Sequence, residues 1–117
     1  LKQATKAAIG AVLATLVLLA SAGGQAPGAV QVVARRYQFV PDHIEVKKGE
    51  PVTLTLRSVD VTHGLTIKEL GIRTEIPKGR DTLVSFTPQA VGSFEGKCSH
   101  FCGSGHGSMK FTVVVTE

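Results

Sequence analysis

The stretch VGSFEGKCSHFCGSGHGSMKFTVVVT, residues 91–116, reads as a strand, a loop and a second strand. Residues 91–97 lead into the loop, and residues 109–116 leave it as a Val-rich run of the kind that suits a half-buried pleated surface. Between them, CSHFCGSGHGSM sets Cys98, Cys102, His106 and Met109 within twelve residues. These include the only two cysteines and the only methionine of the chain. A loop held between two core strands is a rigid platform, and Gly103, Gly105 and Gly107 let its backbone fold tightly.

Outward from this stretch, the pattern of short strand and turn repeats. Val52, Leu54 and Leu56 alternate with Thr53, Thr55 and Arg57, the period-two signature of a half-buried strand. Residues 81–87 alternate again, with Leu83 and Phe86 as the expected anchors. Further strands are expected at residues 29–39, 44–47 and 63–67. Val40-Pro41-Asp42, Lys48-Gly49-Glu50-Pro51 and the loop 58–62 separate them, and residues 69–80, with Gly71, Pro77 and Gly79, read as a longer connection. Seven or eight short strands with turn chemistry between them predict an all-β sandwich of two antiparallel sheets. No amphipathic helix or internal repeat is evident after the first 22 residues.

The chain has 117 residues, enough for one domain with a single core. Its formal charge is +4, but Lys2 and Lys6 lie in the N-terminal segment. The rest of the basic excess is scattered, with Arg35-Arg36 and Lys47-Lys48 as the only doublets. There is no basic stripe interleaved with aromatics, so nucleic acid is set aside as a partner. Residues 1–22 form a separate unit. Two lysines precede a sixteen-residue apolar run, 7–22, that ends in Ala20-Ser21-Ala22. This reads as a secretory signal, with a single membrane anchor as the alternative because a span needs about 20 residues. Either way the domain is expected outside the cytoplasm, periplasmic or on the outer membrane face. Residues 23–28 (GGQAPG) read as a linker, and residues 29–117 as the folded domain.

Thiolate, imidazole and thioether are the soft donors that select copper. Four donors in one loop still leave a copper centre short of a second imidazole, and His63, in DVTHGLTI, is the candidate. Other uses of these residues are chemically sound. Cys98 and Cys102 could pair as a disulfide in an exported protein, which needs neither His106 nor Met109. A structural zinc site of His63, Cys98, Cys102 and His106 leaves Met109 as core filling. A mononuclear blue-type site uses one cysteine, two histidines and methionine, so its second cysteine is surplus. Two thiolates four positions apart are better used as bridges between two copper ions, each capped by one imidazole. His43 has no motif partner and reads as an ordinary surface histidine.

The loop resembles the binuclear copper (CuA) loop of cytochrome c oxidase subunit II, also found in nitrous oxide reductase, at Cys98, Cys102, Gly103, His106 and Met109. Asp60-Val61-Thr62-His63-Gly64 resembles the segment that supplies that family's first histidine, and VGSFEGKC resembles its approach to the first cysteine. The similarity covers roughly residues 37–117. It implies a cupredoxin-like Greek-key β-sandwich and a CuA centre of two copper ions. In it, Cys98 and Cys102 bridge the ions, His63 and His106 each cap one, Met109 is a weak axial ligand, and His100 contributes its backbone carbonyl. It also implies electron relay, as subunit II or a subunit II-like component of a respiratory haem–copper oxidase. The implied donor is a c-type cytochrome and the implied acceptor a haem in the catalytic subunit.

The chain departs from the family at His100, where many such subunits carry a glutamate that also serves a magnesium site. It has at most one hydrophobic span where many have two, which suits a one-anchor subunit or a free periplasmic CuA protein. With no Trp present, Tyr37, Phe39 and Phe101 are the aromatics to consider, and core or rim packing is their expected use. The rival functions are a free periplasmic copper carrier without redox activity and a mononuclear cupredoxin.

Overall fold

Alternation of apolar and polar residues turns into alternation of faces along the strands. In a computed structural model that describes residues 28–117, Val52, Leu54 and Leu56 are sealed in the core while Arg57 faces solvent. The expected hydrophobic segment 1–22 and all of the linker except Gly28 lie outside the described residues.

Nine strands follow one another among the described residues: β1 (Ala29–Arg35), β2 (Gln38–Val40), β3 (His43–Lys47), β4 (Val52–Ser58), β5 (His63–Ile67), β6 (Ile72–Ile76), β7 (Asp81–Phe86), β8 (Gly92–Lys97) and β9 (Lys110–Thr116). One sheet runs β2-β1-β4-β7 and the other β3-β9-β8-β5-β6. The chain changes sheet after β2, β3, β4, β6 and β7, so most connections close the two layers on each other. Val32, Phe39, Leu54 and Leu56 from the first sheet form one core with Leu65, Ile67, Ile76, Phe111, Val113 and Val115 from the second. Phe39 meets Phe111 edge-on at 5.9 Å between ring centroids, an aromatic pair that spans the layers.

The all-β expectation holds, with four corrections. The sheets are mixed: β1 runs parallel to β4, and β3 parallel to β9. Alternation identifies strands but not their partners, and parallel neighbours are joined here by paths through the opposite sheet. The segment 29–39 is two strands, broken at Arg36-Tyr37 and folded back with Ala34 opposite Phe39. The connection 69–80 contains β6, whose Ile72 and Ile76 are buried while the residues between them are charged or polar. Leu83 is no anchor, being 69% exposed. Residues three apart in a strand fall on opposite faces, so Phe86 and Leu83 cannot share one; Val84 accompanies Phe86 against the core.

Among the described residues, no helix is long and apolar enough to cross a membrane. The same residues include two single 3-10 turns, Lys68–Leu70 and His106–Ser108.

This placement predicts unequal costs for two truncations. Phe111→Ala removes a ring at 0% exposure and should lower the unfolding free energy by about 3–5 kcal/mol. Leu83→Ala should stay within about 0.5 kcal/mol. Urea denaturation of both variants is the check, and equal losses would contradict the assignment of the core.

Candidate metal centre

Three of the expected ligands are simply the next core-facing residue of their strands. In β5, His63 follows the parity of Leu65 and Ile67 and is fully buried. Cys98 continues the inward row of Phe94 and Gly96 just past β8, and Met109 extends the row of Phe111, Val113 and Val115 just before β9. The apolar core thus changes into sulfur and imidazole at one end of the sandwich. Cys102, 3% exposed, enters the same place from the loop.

The donors come together as follows. Cys98 Sγ stands 3.7 Å from Cys102 Sγ and 3.8 Å from His63 Nδ1. Cys102 Sγ stands 3.7 Å from His106 Nδ1 and 3.9 Å from Met109 Sδ. The Cys98 thiol donates to the His100 carbonyl at 3.2 Å. All six expected residues therefore meet, His100 through its backbone oxygen. Its imidazole is engaged elsewhere, Nδ1 donating to the Phe101 carbonyl at 3.1 Å. The Ser99–His100 backbone lies where a Cβ of Gly64 would be, 2.8 Å from Ser99 Oγ and 3.1 Å from His100 N, so a glycine in β5 makes room for the loop.

The two thiols are free, and 3.7 Å is far beyond the roughly 2.05 Å of a disulfide. It lies within the ~4.6 Å that two sulfurs can span on a shared ion with metal–sulfur bonds of about 2.3 Å. The donor atoms of His63, Cys98 and Cys102 all fall within 4.8 Å of one another. His106 lies outside that trio, against Cys102. The residues present fit a soft metal, and their donors divide into two halves. His63 Nδ1 and the His100 carbonyl attend Cys98, while His106 Nδ1 and Met109 Sδ attend Cys102.

Asp60 was not foreseen as part of the site. Its Oδ1 accepts from His63 Nε2 at 2.7 Å and from the Val61 N–H at 2.6 Å, and its Oδ2 accepts from the Arg36 N–H at 2.7 Å. A carboxylate on Nε2 holds that nitrogen protonated and leaves the Nδ1 lone pair facing Cys98, as a metal ligand requires. The available signal was an acidic residue three positions before a candidate ligand. Arg36 was missed as well. The Arg36 guanidinium donates through Nε to the Cys102 carbonyl at 2.8 Å, and no local motif announces it. Tyr37 packs on the glycine loop, the rim use expected of it. Phe39 is core, and Phe101 is 75% exposed with its ring 5.7 Å from that of His106. His43 is exposed beside Asp42, the surface role expected.

Burial pushes the Asp60 carboxyl up, but hydrogen bonds from the Arg36 N–H, the His63 ring and the Val61 N–H outweigh it and lower the pKa to about 2. Burial, and then the adjacent Cys98 thiol, push Cys102 up to about 11, so without metal it is a thiol at neutral pH.

Residues 7–115 match the family described as cupredoxin-like domain. The chain belongs to this family. Cytochrome c oxidase subunit 2 of Thermus thermophilus is 33% identical to this cupredoxin over 88 residues, which are 75% of this chain and 65% of the relative. The chain thus spans less than two thirds of the length of that relative. The periplasmic domain of subunit II of cytochrome oxidase of Bradyrhizobium japonicum has the same fold. It superposes with a TM-score of 0.72 at 18% identity, covering 80% of this chain and 87% of that one. Auracyanin A, a "blue" copper protein of Chloroflexus aurantiacus, superposes with a TM-score of 0.61 at 13% identity, over 75% of this chain and 98% of its own.

The low Asp60 pKa has a defined sign. A carboxyl whose pKa falls from 3.8 to about 2 on folding stabilises the fold above 3.8, and that contribution disappears as the pH drops through about 2. In metal-free protein, carboxyl NMR should place the Asp60 midpoint near 2, and Asp60→Asn should flatten the urea stability profile between about pH 4 and 2. A midpoint near 4 would contradict the network.

Proposed function

We propose that this cupredoxin relays single electrons through two copper ions bridged by Cys98 and Cys102. His63 and His106 each cap one ion, with the His100 carbonyl and the Met109 thioether as weak ligands. The observation that carries the proposal is the split donor set: two adjacent thiols, each with its own imidazole Nδ1 and its own weak donor. A single tetrahedral ion would gather both imidazoles with both sulfurs, yet His106, against Cys102, is not within the 4.8 Å cluster of the His63, Cys98 and Cys102 donors.

Bound in this way, two thiolate-bridged copper ions supply a site where one electron is shared between both metals. The residues of the chain do the rest. Strand positions in β5, at the end of β8 and before β9 hold the ligands on the core, so few atoms need to move as charge changes. Burial of His63, Cys98, Cys102 and Met109 keeps water away from these donors. His106 is half-buried, so the centre meets the surface on its side, beside Phe101.

We further infer that the chain serves as subunit II, or a subunit II-like component, of a haem–copper oxidase. A c-type cytochrome is the donor and the catalytic subunit the acceptor, on the periplasmic or outer membrane face. Residues 29–117 are then the working domain and residues 1–22 its export signal or anchor. The 33% identity to Thermus thermophilus cytochrome c oxidase subunit 2 supports this reading.

Electron paramagnetic resonance of the copper-reconstituted protein tests the relay against its rivals. Hyperfine coupling of one electron to two equivalent copper nuclei is the expected result. Coupling to a single nucleus would indicate a blue-type site, and a silent protein would indicate Cu(I) carriage or zinc. Cys102→Ser should abolish the two-nucleus signal and leave no stable coloured centre, whereas a mononuclear site built on Cys98 would survive it.

A further inference from the structure

The turn between β1 and β2 lies outside the ligand loops, yet it touches both. The backbone N–H of Arg36 holds Asp60 Oδ2 at 2.7 Å, and Asp60 Oδ1 in turn holds His63 Nε2 at 2.7 Å. The guanidinium Nε of the same residue holds the Cys102 carbonyl at 2.8 Å, 66 positions along the chain. Its neighbour Tyr37 lays its ring over Gly103 and Gly105, where a Cβ on either glycine would run into it. Gly103 has φ +136°, a conformation side chains rarely adopt, so the loop is shaped to receive the ring.

We propose that Arg36 and Tyr37 are positioning residues that latch the His63 loop to the Cys98–Met109 loop and so set the distance between the two imidazole–sulfur halves before metal arrives. As a statement about copper the proposal rests on the function above; as a statement about the loops it stands on this geometry alone. The two loops come from different parts of the chain and meet only through non-covalent contacts. A hydrogen bond from a charged donor is the stronger kind, and an Arg side chain adds direction that a lysine ammonium lacks. The latch reaches the His63 half through a carboxylate and the Cys102 half through a carbonyl. One turn therefore constrains both.

The test begins with metal-free protein. The amides of Cys98, His106, Ser108 and Met109 are hydrogen-bonded within the loop, so hydrogen exchange reports its opening. Arg36→Gln should speed exchange at these four amides by about ten-fold or more and leave those of Leu54, Leu56 and Val113 unchanged. Tyr37→Leu should do the same, and Arg36→Lys should fall between wild type and Arg36→Gln. After copper loading, extraction by a chelator should quicken by about ten-fold in Arg36→Gln, the scale for groups that orient ligands. Unchanged loop exchange in both Arg36→Gln and Tyr37→Leu would overturn the latch, as would a uniform rise across both sheets, which marks a merely structural turn. Because the exchange data need no metal, they decide the latch even if copper loading shows the centre to be of another kind.

Discussion

Two thiols held 3.7 Å apart without a bond, both nearly sealed from solvent, are the constraint on which this molecule turns. Left to themselves, such groups in an oxidising compartment would close to a disulfide. Here Cys98 continues the inward row of β8, while Cys102 is tied through its carbonyl to Arg36. Their separation is set by two different anchors. His63 and Met109 arrive on inward rows of other strands, so the packing of the core also fixes the geometry of these donors. A disturbance of the sandwich near β5, β8 or β9 is therefore a disturbance of the site.

Burial works in two directions at this end of the core. It holds the Cys102 proton on to about 11, so in the metal-free protein this sulfur is a thiol at neutral pH. A metal ion must displace that proton, which couples occupancy to pH. Asp60 places a negative charge at the margin of the pocket, kept ionised by three donors despite partial burial. One carboxylate thus orients the His63 ring from its Nε2 side.

Much of this was legible in the chain. Period-two alternation located β4 and β7, a Val-rich run located β9, and the spacing of Cys98, Cys102, His106 and Met109 pointed to a soft-metal loop. His63 came from counting donors, and it does meet Cys98. What escaped has a common physical cause. Strand pairing, the return of the chain at Arg36-Tyr37 and the hydrogen bond from Arg36 to Cys102 are contacts between distant residues, and local pattern carries no record of them. β6 escaped because Gly71 and Pro77 flank it closely enough to make the whole stretch look like a connection. Leu83 was misplaced by its hydrophobicity, although its distance of three from Phe86 already puts the two on opposite faces.

In the proposed centre, the two halves of the donor set each hold an ion. Native mass spectrometry of the copper-saturated protein measures this most directly. Two copper ions per chain are expected at saturation. A chain that saturates at one ion would contradict this arrangement.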